Sequence, residues 1–113
     1  MTDEIERRIK REETRLKRVF NGIEEKRKTV IPGLIRRAAF MRISLEDMEQ
    51  DLQENGFTEL FSQGDQEPYR RERPVAKIYA TMNSNYQKII KQLTDLLPKE
   101  EPKPKDGDEF ETF

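Results

Sequence analysis

The stretch from Arg73 to Pro98, RPVAKIYATMNSNYQKIIKQLTDLLP, most constrains how this chain can fold. Val75, Tyr79, Met82, Tyr86, Ile89, Leu93 and Leu96 step alternately by four and three, the spacing of one helix face in a heptad seam. A second ridge, Ile78, Ile90 and Leu97, widens that seam to the face of a helix packed in a bundle. Pro74 suits a first helical turn, where its missing N–H costs nothing, and Pro98 stops the helix. The intervening residues would span about 36 Å. So much apolar surface in water requires a partner.

The partner lies upstream. Ile31, Leu34, Ala38, Met41, Leu45, Met48 and Leu52 repeat the same rhythm, which predicts one helix over 29–54. Thr29 offers a cap, Pro32 fits the first turn, and Asn55-Gly56 supplies a left-handed stop. Ser44-Leu-Glu-Asp resembles a fresh start, but the seam crosses it without a phase slip, so Ser44 is placed on the helix surface. The two helices together predict an antiparallel hairpin over 29–97. The connection 55–73 contains Phe57, Leu60 and Phe61, too apolar for a free loop, and is expected to be a short turn folded over the hairpin end. Arg70, Arg71 and Arg73 are expected to pair with the acidic end of the preceding helix.

Residues 1–28 read as a charged helix and connector. Ile5, Ile9, Leu16, Val19 and Ile23 mark its apolar side, and Glu4–Arg8, Glu6–Lys10 and Glu13–Lys17 are spaced as stabilising i, i+4 pairs. Arg7, Arg11, Arg15 and Arg18 fall within an arc of about 80° on the opposite side. One reading is a soluble helix whose arginines answer its glutamates. The other is a stripe that contacts phosphate, since guanidinium groups bind phosphate oxygens bidentately. Lys26, Arg27 and Lys28 extend the basic run. Residues 98–113, with three prolines and an acidic end, predict a disordered tail. Phe110 and Phe113 are either part of a solvating end or the anchors of a partner-binding motif.

Charge is segregated along the chain. The net charge is −1, yet residues 1–42 hold 13 Lys/Arg against 7 Asp/Glu, while 43–73 hold 3 against 9. Such polarity argues for one end that binds a polyanion. The chain has no cysteine or histidine, which removes disulfides, thiolate metal sites and the commonest catalytic bases. No phosphate-binding glycine loop is present, and thin helices leave little room for an active site, so an enzyme is not expected, nor a cofactor or metal. With no apolar run long enough for a membrane span and no signal-peptide pattern, the expected location is the cytoplasm.

In order, Leu34-Ile-Arg-Arg-Ala-Ala-Phe-Met-Arg-Ile-Ser-Leu-Glu-Asp-Met, Glu54-Asn-Gly-Phe-Thr-Glu, Arg73-Pro-Val-Ala-Lys-Ile-Tyr and Gln92-Leu-Thr-Asp-Leu-Leu-Pro make a pattern. It resembles the small terminase subunits of tailed phages and prophages of Gram-positive bacteria, over roughly residues 30–100. The resemblance implies a non-enzymatic DNA-packaging adaptor that assembles as a ring, recognises viral double-stranded DNA and regulates a large terminase subunit holding the ATPase and nuclease. It transfers no catalytic residue. Residues 1–28 are too short for the helix-turn-helix domain of many small terminases, which shifts the expectation from base reading to backbone contacts. Taken together, these features predict an all-α homo-oligomer with Arg7, Arg11, Arg15, Arg18, Lys26, Arg27 and Lys28 as phosphate contacts. The alternative is a coiled-coil scaffold protein whose basic helix binds an acidic partner, with no nucleic-acid role.

Overall fold

The computed structural model describes residues 2–22 and 30–97. Their elements run α1 (Asp3–Val19), α2 (Ile31–Asn55), β1 (Thr58–Phe61), β2 (Tyr69–Glu72) and α3 (Pro74–Leu96). The three helices occupy the places that their periodicity predicts, and α2 passes Ser44 without a break. No helix among the described residues is long and apolar enough to cross a membrane. Lys26, Arg27, Lys28, Phe110 and Phe113 lie outside the described residues.

Local chemistry sets the helix ends. The Thr2 hydroxyl accepts the Ile5 N–H at 3.2 Å, with Asp3, Glu4 and Glu6 in the first turn of α1 and Lys17 and Arg18 in the last. Acids at the positive end and bases at the negative end of the helix dipole both favour it. Helix α2 ends where Gly56 adopts a φ of 83°, and the Gly56 N–H returns to the Leu52 carbonyl at 2.8 Å. That conformation is cheap only for glycine.

Helix α2 sits between the other two, and its buried residues follow two lines. Ile31, Ile35, Ala39 and Ile43 step by four on the side of Arg36, Glu46 and Asp47, whose ion-pair partners are on α1. Ala38, Leu45 and Leu52 step by seven on the side of Glu49 and Arg42, which hydrogen-bond the hydroxyls of Tyr79 and Tyr86 on α3. These two cross-links fix α3 antiparallel to α2. The core joins Ile9, Leu16 and Phe20 of the first helical segment to Ile35, Ala38, Ala39 and Ile43 of α2 and Leu93 of α3.

Three readings of the sequence need correction. The apolar face of α1 runs through Phe20, not Val19, which is half exposed: the larger ring takes the core position one residue on. In α3 the buried pair is Ala76 and Leu93, while Ile78 of the second ridge is 54% exposed. The fold is mostly helical but not purely all-α, because the connection forms a two-stranded antiparallel sheet rather than a single turn.

The physical reason for the sheet lies in its side chains. Thr58-Glu-Leu-Phe and Tyr69-Arg-Arg-Glu pair in the register Thr58↔Glu72, Glu59↔Arg71, Leu60↔Arg70 and Phe61↔Tyr69. On one face the Phe61 and Tyr69 rings meet edge to face at 5.9 Å, and Glu59 accepts from Arg71 at 2.8 Å. The Arg71 guanidinium also lies 3.5 Å from the Phe61 ring centre. Aromatic and opposite-charge cross-strand pairs are the unit of sheet stability.

Arg73 ties this hairpin to the helices. Its N–H donates to the Phe57 carbonyl, and its guanidinium donates to the Gly56 carbonyl and the Asp51 carboxylate, all within 2.9 Å. Preceding Pro74, Arg73 is confined to extended backbone, so the last residue after β2 also opens α3. Thus Arg73 does pair with the acidic end of α2, whereas Arg71 pairs within the sheet.

Two outcomes are expected. Leu93→Ala, at a fully buried position, should cost about 2–5 kcal/mol in urea unfolding. Val19→Ala, at a half-exposed position, should cost less than about 1 kcal/mol, and equal losses at the two sites would refute this core. The second concerns Asp51, whose carboxyl is held below its ordinary value of 3.8 by the Asn55 amide and then by Arg73. Its contribution is present above that value and lost as pH falls through the lowered one. The melting difference between wild type and Asp51→Asn should therefore be present at pH 7 and shrink in acid; a constant difference would contradict it.

Candidate nucleic-acid interface

Burial of Ile9, Leu16 and Phe20 fixes the rotation of α1 about its axis. With about 100° per residue, Arg7, Arg11 and Arg18 then lie on the side opposite the core. All three are exposed, and among the described residues no carboxylate lies within ion-pair distance of them. From Arg7 to Arg18 the rise is about 17 Å.

The expected glutamate–lysine pairs along α1 do not form. Glu6 and Glu13 reach instead to Arg36 on α2, at 2.8 and 3.6 Å. Arg8, expected to pair with Glu4, donates to Asp47 at 2.9 Å and Glu46 at 3.4 Å. These flanking side chains lie beside the apolar face, where a carboxylate or guanidinium on α2 is nearer than one on the same helix. Lys10 and Lys17, left without those acids, lie on the flank of α1 between the ridge and the core side and are exposed. The charge of the ridge therefore rests on Arg7, Arg11 and Arg18, with Lys10 and Lys17 exposed on its flank.

Arg15 behaves differently from the other three arginines of the stripe. Its guanidinium grips Glu12 bidentately at 2.8 and 2.6 Å, and that bond holds its pKa above the ordinary value. It lines an open cleft of about 550 Å³ between α1 and α2, with Arg8, Arg11, Arg18, Glu12 and Glu46. The cleft is cationic in number, yet its two glutamates already occupy Arg8, Arg15 and Arg42. A phosphate entering there would meet Glu12 and Glu46; along the outer ridge the carboxylates are Asp3 and Glu4 of the first turn, and neither is within ion-pair distance of Arg7, Arg11 or Arg18.

Of the seven residues singled out as phosphate contacts, the structure brings together Arg7, Arg11 and Arg18 on the open ridge. Arg15 is set at its edge, and Lys26, Arg27 and Lys28 lie outside the described residues. Arg8 and Arg36, which sew α1 to α2, were missed; the signal was their place beside the apolar arc. Among the described residues no group of three carboxylates converges as metal ligands would. The arrangement suits backbone phosphates, which position a protein on a duplex without reading bases.

If the ridge binds duplex DNA, replacing Arg7, Arg11 and Arg18 by Gln should lower affinity on unrelated sequences. The slope of log affinity against log salt should shrink by about 2.7, at roughly 0.9 per phosphate contact. Arg15→Gln alone should change it by less than one such step. Melting should move little, as expected for exposed positions. An unchanged slope in the triple variant would rule out the ridge. No protein-family model, curated protein or solved structure matches this chain.

Proposed function

We propose that this chain acts as a small terminase subunit: a non-enzymatic, DNA-binding, oligomeric adaptor that recognises viral DNA and regulates the large terminase during genome packaging. The observation that carries the reading is the outer ridge of α1. Its Arg7, Arg11 and Arg18 have no carboxylate partner among the described residues, while neighbouring arginines are consumed by ion pairs. The resemblance over residues 30–100 supplies the biological setting, and the proline-bounded α3 and the Asn55-Gly56 stop are the elements it rests on.

Oligomerisation draws support from apolar surface that one copy leaves uncovered. Phe40 and Ile78 are exposed, and Ile78 lines a groove of about 480 Å³ with Met41, Met82 and Thr81. Heterologous contacts between copies close into rings when the rotation allows. The tail anchors Phe110 and Phe113 are assigned to the large subunit, with the surrounding acids steering association.

Three measurements test this reading. Light scattering at micromolar concentration should give a discrete multimer, and a monomer at every salt concentration would contradict the adaptor. Duplex DNA should bind at low salt; a scaffold protein for acidic partners would show no such binding. Phe110→Ala with Phe113→Ala should weaken stimulation of the cognate large subunit's ATP turnover while DNA binding persists. Equal stimulation by both forms would remove the tail from that contact.

A further inference from the structure

The β1–β2 hairpin is short, and each strand has one edge with no partner among the described residues. Two strands of about 13 Å are marginal by themselves in water, and unpaired edge N–H and C=O groups are a template for a further strand. Neither Thr58–Phe61 nor Tyr69–Glu72 contains a proline or lysine, two common protections of an edge. Leu60 and Tyr69 are 67% and 48% exposed.

We propose that this hairpin is an interface between copies of the chain. The open edge of β2 in one copy pairs antiparallel with the open edge of β1 in the next, head to tail. The inference rests on the oligomeric part of the function proposed above and not on its DNA part.

The residues of the hairpin are suited to repeat their own register. Directly opposed residues share a face in an antiparallel sheet, so setting Arg71 opposite the next copy's Glu59 also sets Tyr69 opposite its Phe61. Each Arg71 would then stand between two glutamates, and each Tyr69 between two phenylalanines. The bonding pattern is consistent as well. Residues opposed within the hairpin form pairs that alternately exchange hydrogen bonds, so the residues pointing outward from β1 and β2 are opposed too. The same register therefore meets outward donors with outward acceptors.

Pairing like with like fits less well. Two β2 edges joined on a twofold axis would have to set a residue opposite itself, Arg70 against Arg70 or Arg71 against Arg71 of the other copy, and like charges directly opposed are destabilising. Head-to-tail pairing avoids this, and it is the arrangement that propagates into rings.

The chain lacks cysteine, which allows a clean test in the full-length protein. Leu60 and Arg70 lie opposite one another on the face away from the Glu59–Arg71 pair, and both are exposed. Leu60→Cys chains and Arg70→Cys chains are mixed and treated with a short bis-maleimide cross-linker, whose two ends each alkylate one thiol. The expected result is several-fold more linked dimer in the mixture than in either variant alone, with helical circular dichroism unchanged. An oligomer that yields no more linked dimer in the mixture overturns the proposal, as does a chain that stays monomeric. Efficient linking of Leu60→Cys alone would show two β1 edges together and overturn the head-to-tail arrangement. Cross-linking that persists in a chain without salt-dependent DNA binding would remove the DNA reading and leave this interface standing.

Discussion

The whole fold depends on α2 being apolar on two sides at once. Its two lines of buried residues diverge around Ala38 and Ala39, both fully buried. Small side chains there keep α2 narrow where its two buried lines meet, and Leu93 of α3 belongs to the same buried cluster. A single heptad seam would bury only one neighbour. Here Ile35, Ala39 and Ile43, outside the heptad seam, take the second together with Ile31, and the core becomes continuous across three helices.

Beyond that core the structure is held by polar contacts at its two ends. Toward one end, arginines of α1 and α2 cross to carboxylates on the other helix. At the other end Arg73 gathers two backbone carbonyls and Asp51 where helix, sheet and helix meet. Exposed ion pairs are individually weak, so the crossing pairs serve more to orient α1 than to stabilise it. Orientation is what matters for the ridge. A rotation of α1 by one residue would carry Arg11 and Arg18 from the rim of the cleft they share with Glu46 into the side packed on α2.

Helix existence and extent were legible because long periodic runs with proline and glycine punctuation carry redundant signals. The antiparallel pairing of α2 and α3 followed from the same runs. The sheet was not legible: four-residue strands show too little alternation, and the Arg71 contacts that hold them span the turn. Phe20 was passed over because a strict four–three count selects Val19, although the true helical repeat brings Phe20 equally close to the core face. Ala76 carries little sequence signal because a methyl group adds little to an apolar pattern, yet it is buried in α3. In the candidate site the arginine stripe was legible from angle alone. Which arginines are already answered was not, since Glu6, Glu13, Glu46 and Asp47 choose partners more than twenty residues away. Only the packing of α1 on α2 decides that.

The ridge on α1 also bears on how that helix stays folded. Arg7, Arg11 and Arg18 along one helical face repel one another, and beyond the first turn the acids of the helix, Glu6, Glu12 and Glu13, are engaged with α2 or with Arg15. Helix α1 is therefore the part of the molecule with self-repulsion built into its surface. Any polyanion laid along it relieves that repulsion as it binds, so occupancy and helix order become thermodynamically linked. Under the proposed function, DNA bound along α1 would serve as the counter-charge that completes its surface.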